Sequence, residues 1–160
     1  MHISTIALYP KSRCLRERSK EIPISYVINE KLKNLIDMMF AVLETFPDGV
    51  ALAAPQVYVS IRLIVIKDPK RIVAINPKII EFSKEKDLDQ EGCLSIPNTY
   101  EQVERSTSIV VEYYNERGEK ITRSCSGSLA RAFQHEVDHL DGVLFIDKIH
   151  KNDPSNFVAV

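Results

Sequence analysis

The chain has 160 residues, 44% hydrophobic and 27% charged, with 21 basic side chains nearly cancelled by 22 acidic ones. That length suits one domain with a real core and argues against a second, so residues 1–160 read as a single domain. The near-neutral charge announces no nucleic-acid partner. Without an apolar run of membrane length or a basic-then-apolar leader, no membrane partner is expected and the cytoplasm is the expected compartment. Three cysteines, Cys14, Cys93 and Cys125, are too few and too odd a set for a disulfide framework.

From Ile6 to Pro23 the chain mixes few apolar anchors with many charges, an irregular arm. Apolar residues at Leu32, Leu35, Ile36, Met39, Leu43 and Phe46 then follow the three-and-four spacing of an amphipathic helix over 29–46, stopped by Pro47-Asp48-Gly49. Met38 and Met39 read as gap-filling core on that stripe. Gly49-Val50-Ala51-Leu52-Ala53-Ala54-Pro55-Gln56 is a run of small residues ending in an amide; on composition it is a packed loop, or else a wall for an extended ligand. Residues 61–66 and 71–82 suit strands, and 83–90 read as a solvated excursion. β-branched and aromatic residues on both sides of Asn115-Glu116-Arg117-Gly118 predict a hairpin over 108–126, with Cys125 structural. A helix over 129–140 follows, closed by Gly142.

That last helix carries His135-Glu136-Val137-Asp138-His139. Histidines four apart share a helix face, which can hold a metal; Glu136, turned by roughly 100° from His135, reaches a water beside them and reads as a proton carrier. The metalloprotease extension with a third histidine fails, because position 145 is Phe145. A downstream glutamate ligand fails as well, because Glu136 is the last glutamate in the chain. Asp141, Asp147, Asp153 and His150 read as solvated or capping groups. The third ligand must then come from upstream, where Cys93 is the best soft donor, although a lone cysteine there is also readable as a small buried hydrophobe.

At this point the chain resembles peptide deformylase. Gly49 to Gln56 resembles the first motif of that family, Glu91-Gly92-Cys93-Leu94-Ser95 the second, and Gln134-His135-Glu136-Val137-Asp138-His139 the third, in family order. Leu15 to Ser19 and Asn98 to Arg105 are also similar to family sequence, so the resemblance spans nearly the whole chain. It implies an α+β fold, with mixed, mostly antiparallel β-sheets around a central metal-binding helix. The implied reaction removes the formyl group from the N-terminal formyl-methionine of new polypeptides. Cys93, His135 and His139 would hold one divalent metal, ferrous iron first, with zinc, nickel or cobalt as substitutes. Glu136 would be general base and then general acid; Gln56 and the Leu94 N–H would steady the developing oxyanion. The peptide would lie as an added strand along Gly49, Val50, Ala51 and Gly92.

Ser128, Arg131 and Ala132 share the face of His135 and are expected at the floor and rim of a methionine pocket, with the Arg131 guanidinium reaching solvent. Ala51 stands where the first motif usually has its second glycine. Arg105 is expected to form an ion pair with Glu91 or Asp138. Partners implied are formyl-methionyl nascent peptides near the ribosome. The rival readings are a catalytically silent metal-containing module that binds protein N-termini, and a zinc peptidase of unfamiliar ligation.

Overall fold

The computed structural model describes residues 6–27, 29–67 and 70–149. Helix α1 runs Glu30–Glu44; the Asn29 side chain caps it by accepting from the Lys31 N–H, and the Thr45 hydroxyl closes it on the Val42 carbonyl at 2.7 Å. Five strands form one antiparallel sheet in the order β1-β2-β3-β6-β7: β1 (Ala51–Ala53), β2 (Leu63–Ile66), β3 (Ile72–Phe82), β6 (Ser108–Tyr114) and β7 (Lys120–Ser126). The other two, β4 (Lys86–Cys93) and β5 (Ile96–Ser106), pair only with each other. Helix α2 spans Gly127–Leu140.

Side-chain alternation along the strands explains how the sheet binds a helix on each face. Leu52, Leu63, Val65, Val73 and Ile75 pack with Leu32, Ile36, Met39, Phe40 and Leu43 of α1. Their neighbours Ala53, Ile64, Ile66, Ile72 and Ala74 pack instead with Ala130, Phe133 and Leu140 of α2. Strand β2 is therefore buried on both sides and reads as a continuous apolar run, each fully buried Leu or Ile contributing about 1.5–3 kcal/mol. Strand β3 bends at Asn76-Pro77: Asn76 has a φ of 51°, the register shifts there, and its amide clasps the backbone N–H and carbonyl of Ile22 at 2.8 Å each.

Several expectations change. The segment 83–90 is solvated as expected but not irregular: residues from Lys86 onward form β4, in register with β5 from Lys86 opposite Ser106 to Gly92 opposite Tyr100. Its side chains up to Gln90 are exposed, so no apolar alternation marks the strand; main-chain pairing does. The small-residue run is not simply a loop but β1 followed by a 3-10 turn over Ala54–Val57. Met39 is fully buried as expected, whereas Met38 is exposed. Asp141 ends α2 and pairs with Arg62, and Asp147 accepts the Leu144 N–H and pairs with Arg16. His150 and Asp153 lie outside the described residues. Cys125 is buried in the α2 core, and no helix among the described residues is long and apolar enough to cross a membrane.

Candidate active site

Three segments distant in sequence meet at one point. Strand β4 ends at Cys93 with a register shift after Gly92, which turns the thiol out of the ladder. On α2, His135 and His139 present their rings together, centroids 5.0 Å apart. The Cys93 Sγ lies 3.2 Å from His139 Nε2, and the ligand atoms of Cys93, His135 and His139 all fall within 4.8 Å of one another. The 3-10 turn after β1 brings Gln56, whose Oε1 accepts the Ala53 N–H at 2.9 Å. That bond aims the Gln56 amide nitrogen at Cys93 Sγ (3.6 Å) and Ser95 Oγ (3.2 Å). The N-terminal arm fastens the same parts, with the Ala7 N–H donating to the Gln56 carbonyl at 2.7 Å and the Tyr9 N–H to the Ser95 carbonyl at 3.0 Å.

A buried charge network backs the histidines. Glu91 Oε2 sits 3.0 Å from His135 Nδ1, leaving Nε2 of that ring to face the thiol side. Arg105 grips both Glu91 oxygens, at 2.9 and 3.0 Å, and reaches on to Asp138, which also holds Lys148 at 2.9 Å. Arg105 thus pairs with both acids expected of it, and Asp87, Glu91 and Asp138 are balanced by Arg105, Arg131 and Lys148. Burial alone would raise the Glu91 carboxyl, but hydrogen bonds from Arg105 and His135 hold it well below its ordinary 4.5. Burial also lowers His135, yet the Cys93 thiol and Glu91 beside it push this histidine up to about 10; burial and the neighbouring His135 charge keep His139 well below 6.5. Glu136 is pushed up to about 7, chiefly by burial, with His135 opposing.

The donor set fits a divalent cation. A thiolate and two imidazole nitrogens suit zinc, iron, cobalt or nickel, and one buried Glu136 oxygen, Oε2, has no partner among the described residues. An unsatisfied buried carboxylate oxygen is costly, and this one belongs to the residue directly after His135 on α2.

The profile of the polypeptide deformylase family matches residues 3–155, nearly the full chain and all three segments that meet at the site. The chain belongs to the polypeptide deformylase family. A peptide deformylase of Pseudothermotoga lettingae is 46% identical over 136 residues, covering 84% of this chain and 77% of its own. One from Desulforudis audaxviator is 42% identical over 151 residues, covering 92% and 94%. Among solved structures, the Thermotoga maritima peptide deformylase superposes with a TM-score of 0.86 at 40% identity, covering 94% of this chain and 99% of that one. The class I type b enzyme of Acinetobacter baumannii with Met-Ala-Ser bound gives 0.85 at 36% identity, covering 90% and 96%.

Within this deformylase fold the expected peptide-binding positions differ in burial and surroundings. Gly92 adjoins Cys93, and the Tyr100 ring lies against it: a Cβ there would stand 2.7 Å from the ring. The space beside Gly49 is filled by Leu43 and Phe46, so the small residue there serves packing against α1. Val50 is exposed, Ala51 and Ala132 are half-buried, and Ser128 is exposed in the first turn of α2. Leu94 sits in the turn between β4 and β5. The Arg131 guanidinium is not left free in solvent: it is spent on Glu91, the Val103 carbonyl and Asp87. A cleft of about 870 Å3 opens along Gln134, Val137, Asp138 and Asp141, the α2 face turned away from His135 and His139, so it is not this site. Sequence reading missed Ser95 as the partner of Gln56; its place two residues after Cys93 was the available signal.

Proposed function

We propose that this chain is a metal-dependent peptide deformylase: a single catalytic domain over 1–160 that hydrolyses the formyl group from the N-terminal formyl-methionine of new polypeptides and releases formate. In this reading α2 is the central, metal-binding helix. The observation that carries it is the convergence of Cys93, His135 and His139 beside the Gln56 amide, with an unpartnered oxygen on Glu136, the residue after His135, in a chain of this family. The Met-Ala-Ser held by the Acinetobacter relative supports it, since a methionine-headed peptide is what deformylation leaves behind.

Cys93 Sγ, His139 Nε2 and the His135 nitrogen opposite Glu91 would hold the metal, with ferrous iron proposed and zinc, nickel or cobalt as substitutes. When bound, the metal supplies Lewis acidity that sharpens the acidity of water and polarises the formyl oxygen. Glu136 takes a proton from the attacking water at its unpartnered oxygen, and the water oxygen bonds to the formyl carbon. The Gln56 amide, fixed through Ala53, donates to the oxygen that gains charge, together with the Leu94 N–H. Glu136 then returns the proton to the methionine nitrogen as the C–N bond breaks, leaving formate and a free amine. Burial, which favours the neutral carboxyl, suits Glu136 to both roles. Val50, Ala51 and Gly92 are proposed to line the peptide, and Ser128 and Ala132 the methionine pocket. The cytoplasm, close to the ribosome, is the proposed setting.

An intact Glu136 and an aimed Gln56 count against a silent N-terminus-binding module. Anaerobically prepared, iron-loaded protein should release formate from a formyl-methionyl peptide, and Glu136→Ala should not. No formate from the loaded wild type would overturn the reading.

A further inference from the structure

We propose that Arg131 is a positioning residue for His135, acting through Glu91, and that it sets how tightly the site holds its metal. The inference rests on the reading of Cys93, His135 and His139 as ligands. Glu91 offers one oxygen, Oε2, to His135 Nδ1 at 3.0 Å. Arg105 Nη2 also donates to Oε2, at 3.0 Å, and the other oxygen, Oε1, takes two guanidinium N–H groups that fix the carboxylate's orientation: Arg105 Nε at 2.9 Å and Arg131 Nη1 at 2.8 Å. Arg131 lies one helical turn before His135 on the same face of α2, so the brace and the ring it steadies ride on one rigid element.

Arg131 is itself immobilised. Its Nη1 also donates to the Val103 carbonyl at 2.9 Å, and its Nη2 donates to the Asp87 carbonyl at 3.2 Å and to Asp87 Oδ1 at 2.6 Å; the side chain is only 13% exposed. Val103 belongs to β5 and Asp87 to β4, so one guanidinium ties both strands of the hairpin to the helix. This matters because β4 and β5 share no ladder with the five-stranded sheet. The hairpin that carries Cys93 is placed against the helix that carries the histidines by side-chain contacts, and Arg131 makes three to β4 and one to β5. Loss of such an outer partner typically weakens metal binding about 10–100-fold.

The test is zinc affinity by chelator competition for wild type, Arg131→Met, Arg131→Lys, Glu91→Gln and the double variant Glu91→Gln/Arg131→Met, with thermal melts of each metal-free protein. Arg131→Met should weaken zinc binding about 10–100-fold, and Arg131→Lys should recover part of it. Because Arg131 acts through Glu91, the double variant should bind zinc no more weakly than Glu91→Gln alone. Additive losses would overturn the proposal. So would a lowered metal-free melting temperature with zinc affinity unchanged, which would assign Arg131 to structure only. If Arg131→Met does not fold, a wild-type zinc affinity in Arg131→Lys overturns it. A wild type that takes up no zinc overturns the metal centre itself, and this inference with it.

Discussion

At the scale of single residues the site separates groups that hold a metal from groups that would act on substrate, and the two should fail differently. Gln56 is buried and touches the cluster only through its amide nitrogen. Gln56→Ala should therefore cost about 2.7–4 kcal/mol of barrier, read as a fall in kcat, with metal content unchanged by elemental analysis. Ser95→Ala should give a smaller loss in the same direction, since the Ala53 N–H still orients the glutamine. Two buried carboxyls should shift stability with pH in opposite senses. Glu136 is raised, so in metal-free protein its contribution is complete below its ordinary 4.5 and is lost as pH rises through about 7. Glu91 is lowered, so its contribution is present above 4.5 and is lost as pH falls below that value. Urea unfolding of the metal-free protein should show Glu136→Gln gaining on wild type at pH 8 but not at pH 5, and Glu91→Gln flattening the acid limb.

At the scale of elements, two glycines with crowded surroundings should respond differently to the same methyl. Gly142 closes α2 with a φ of +73°, and a Cβ there would meet the Arg16 carbonyl oxygen at 2.6 Å. Backbone cannot step aside, so Gly142→Ala should destabilise by roughly 1–3 kcal/mol or more, read by urea unfolding. At Gly92 the close contact is the Tyr100 ring, a side chain 65% exposed, while the Thr99 carbonyl stands at an ordinary 3.6 Å. Gly92→Ala should leave the unfolding midpoint nearly unchanged while raising KM for peptides, since the displaced ring and the new methyl sit beside Cys93. Strand β4 escaped the sequence because its exposed side chains show no period of two, whereas α1 and β2 announced themselves by the apolar patterns that their burial requires.

For the whole molecule, the cluster joins parts that the chain keeps far apart: β1 with its following turn, the β4–β5 hairpin and α2, all laced by the N-terminal arm. A cation bound by Cys93, His135 and His139 would cross-link the hairpin to α2 in the folded state alone. Adding zinc to metal-free protein should raise its melting temperature, by about 2.7 kcal/mol of stability at a hundred times Kd. Because the thiol and His135 must lose protons to become ligands, the gain should shrink as pH falls. A Cys93→Ala variant should show little zinc-dependent gain by the same melts.

The sequence alone determined what depends on local order. The spacing of His135, Glu136 and His139 and the absence of any later glutamate point to a metal with an upstream third ligand, because helix geometry and ligand type are properties of residues and their intervals; Cys93 within Glu91-Gly92-Cys93-Leu94-Ser95 came through its resemblance to the family's second motif. The tertiary structure alone decided what depends on which surfaces meet. It put Ser95 against Gln56, turned Arg131 from an expected pocket rim into a brace on Glu91, and spent Gly49 on packing against α1. No interval along the chain encodes those contacts. They arise because a hairpin lacking ladder bonds to the main sheet must be fixed to α2 by side chains, and only the folded molecule shows which side chains reach.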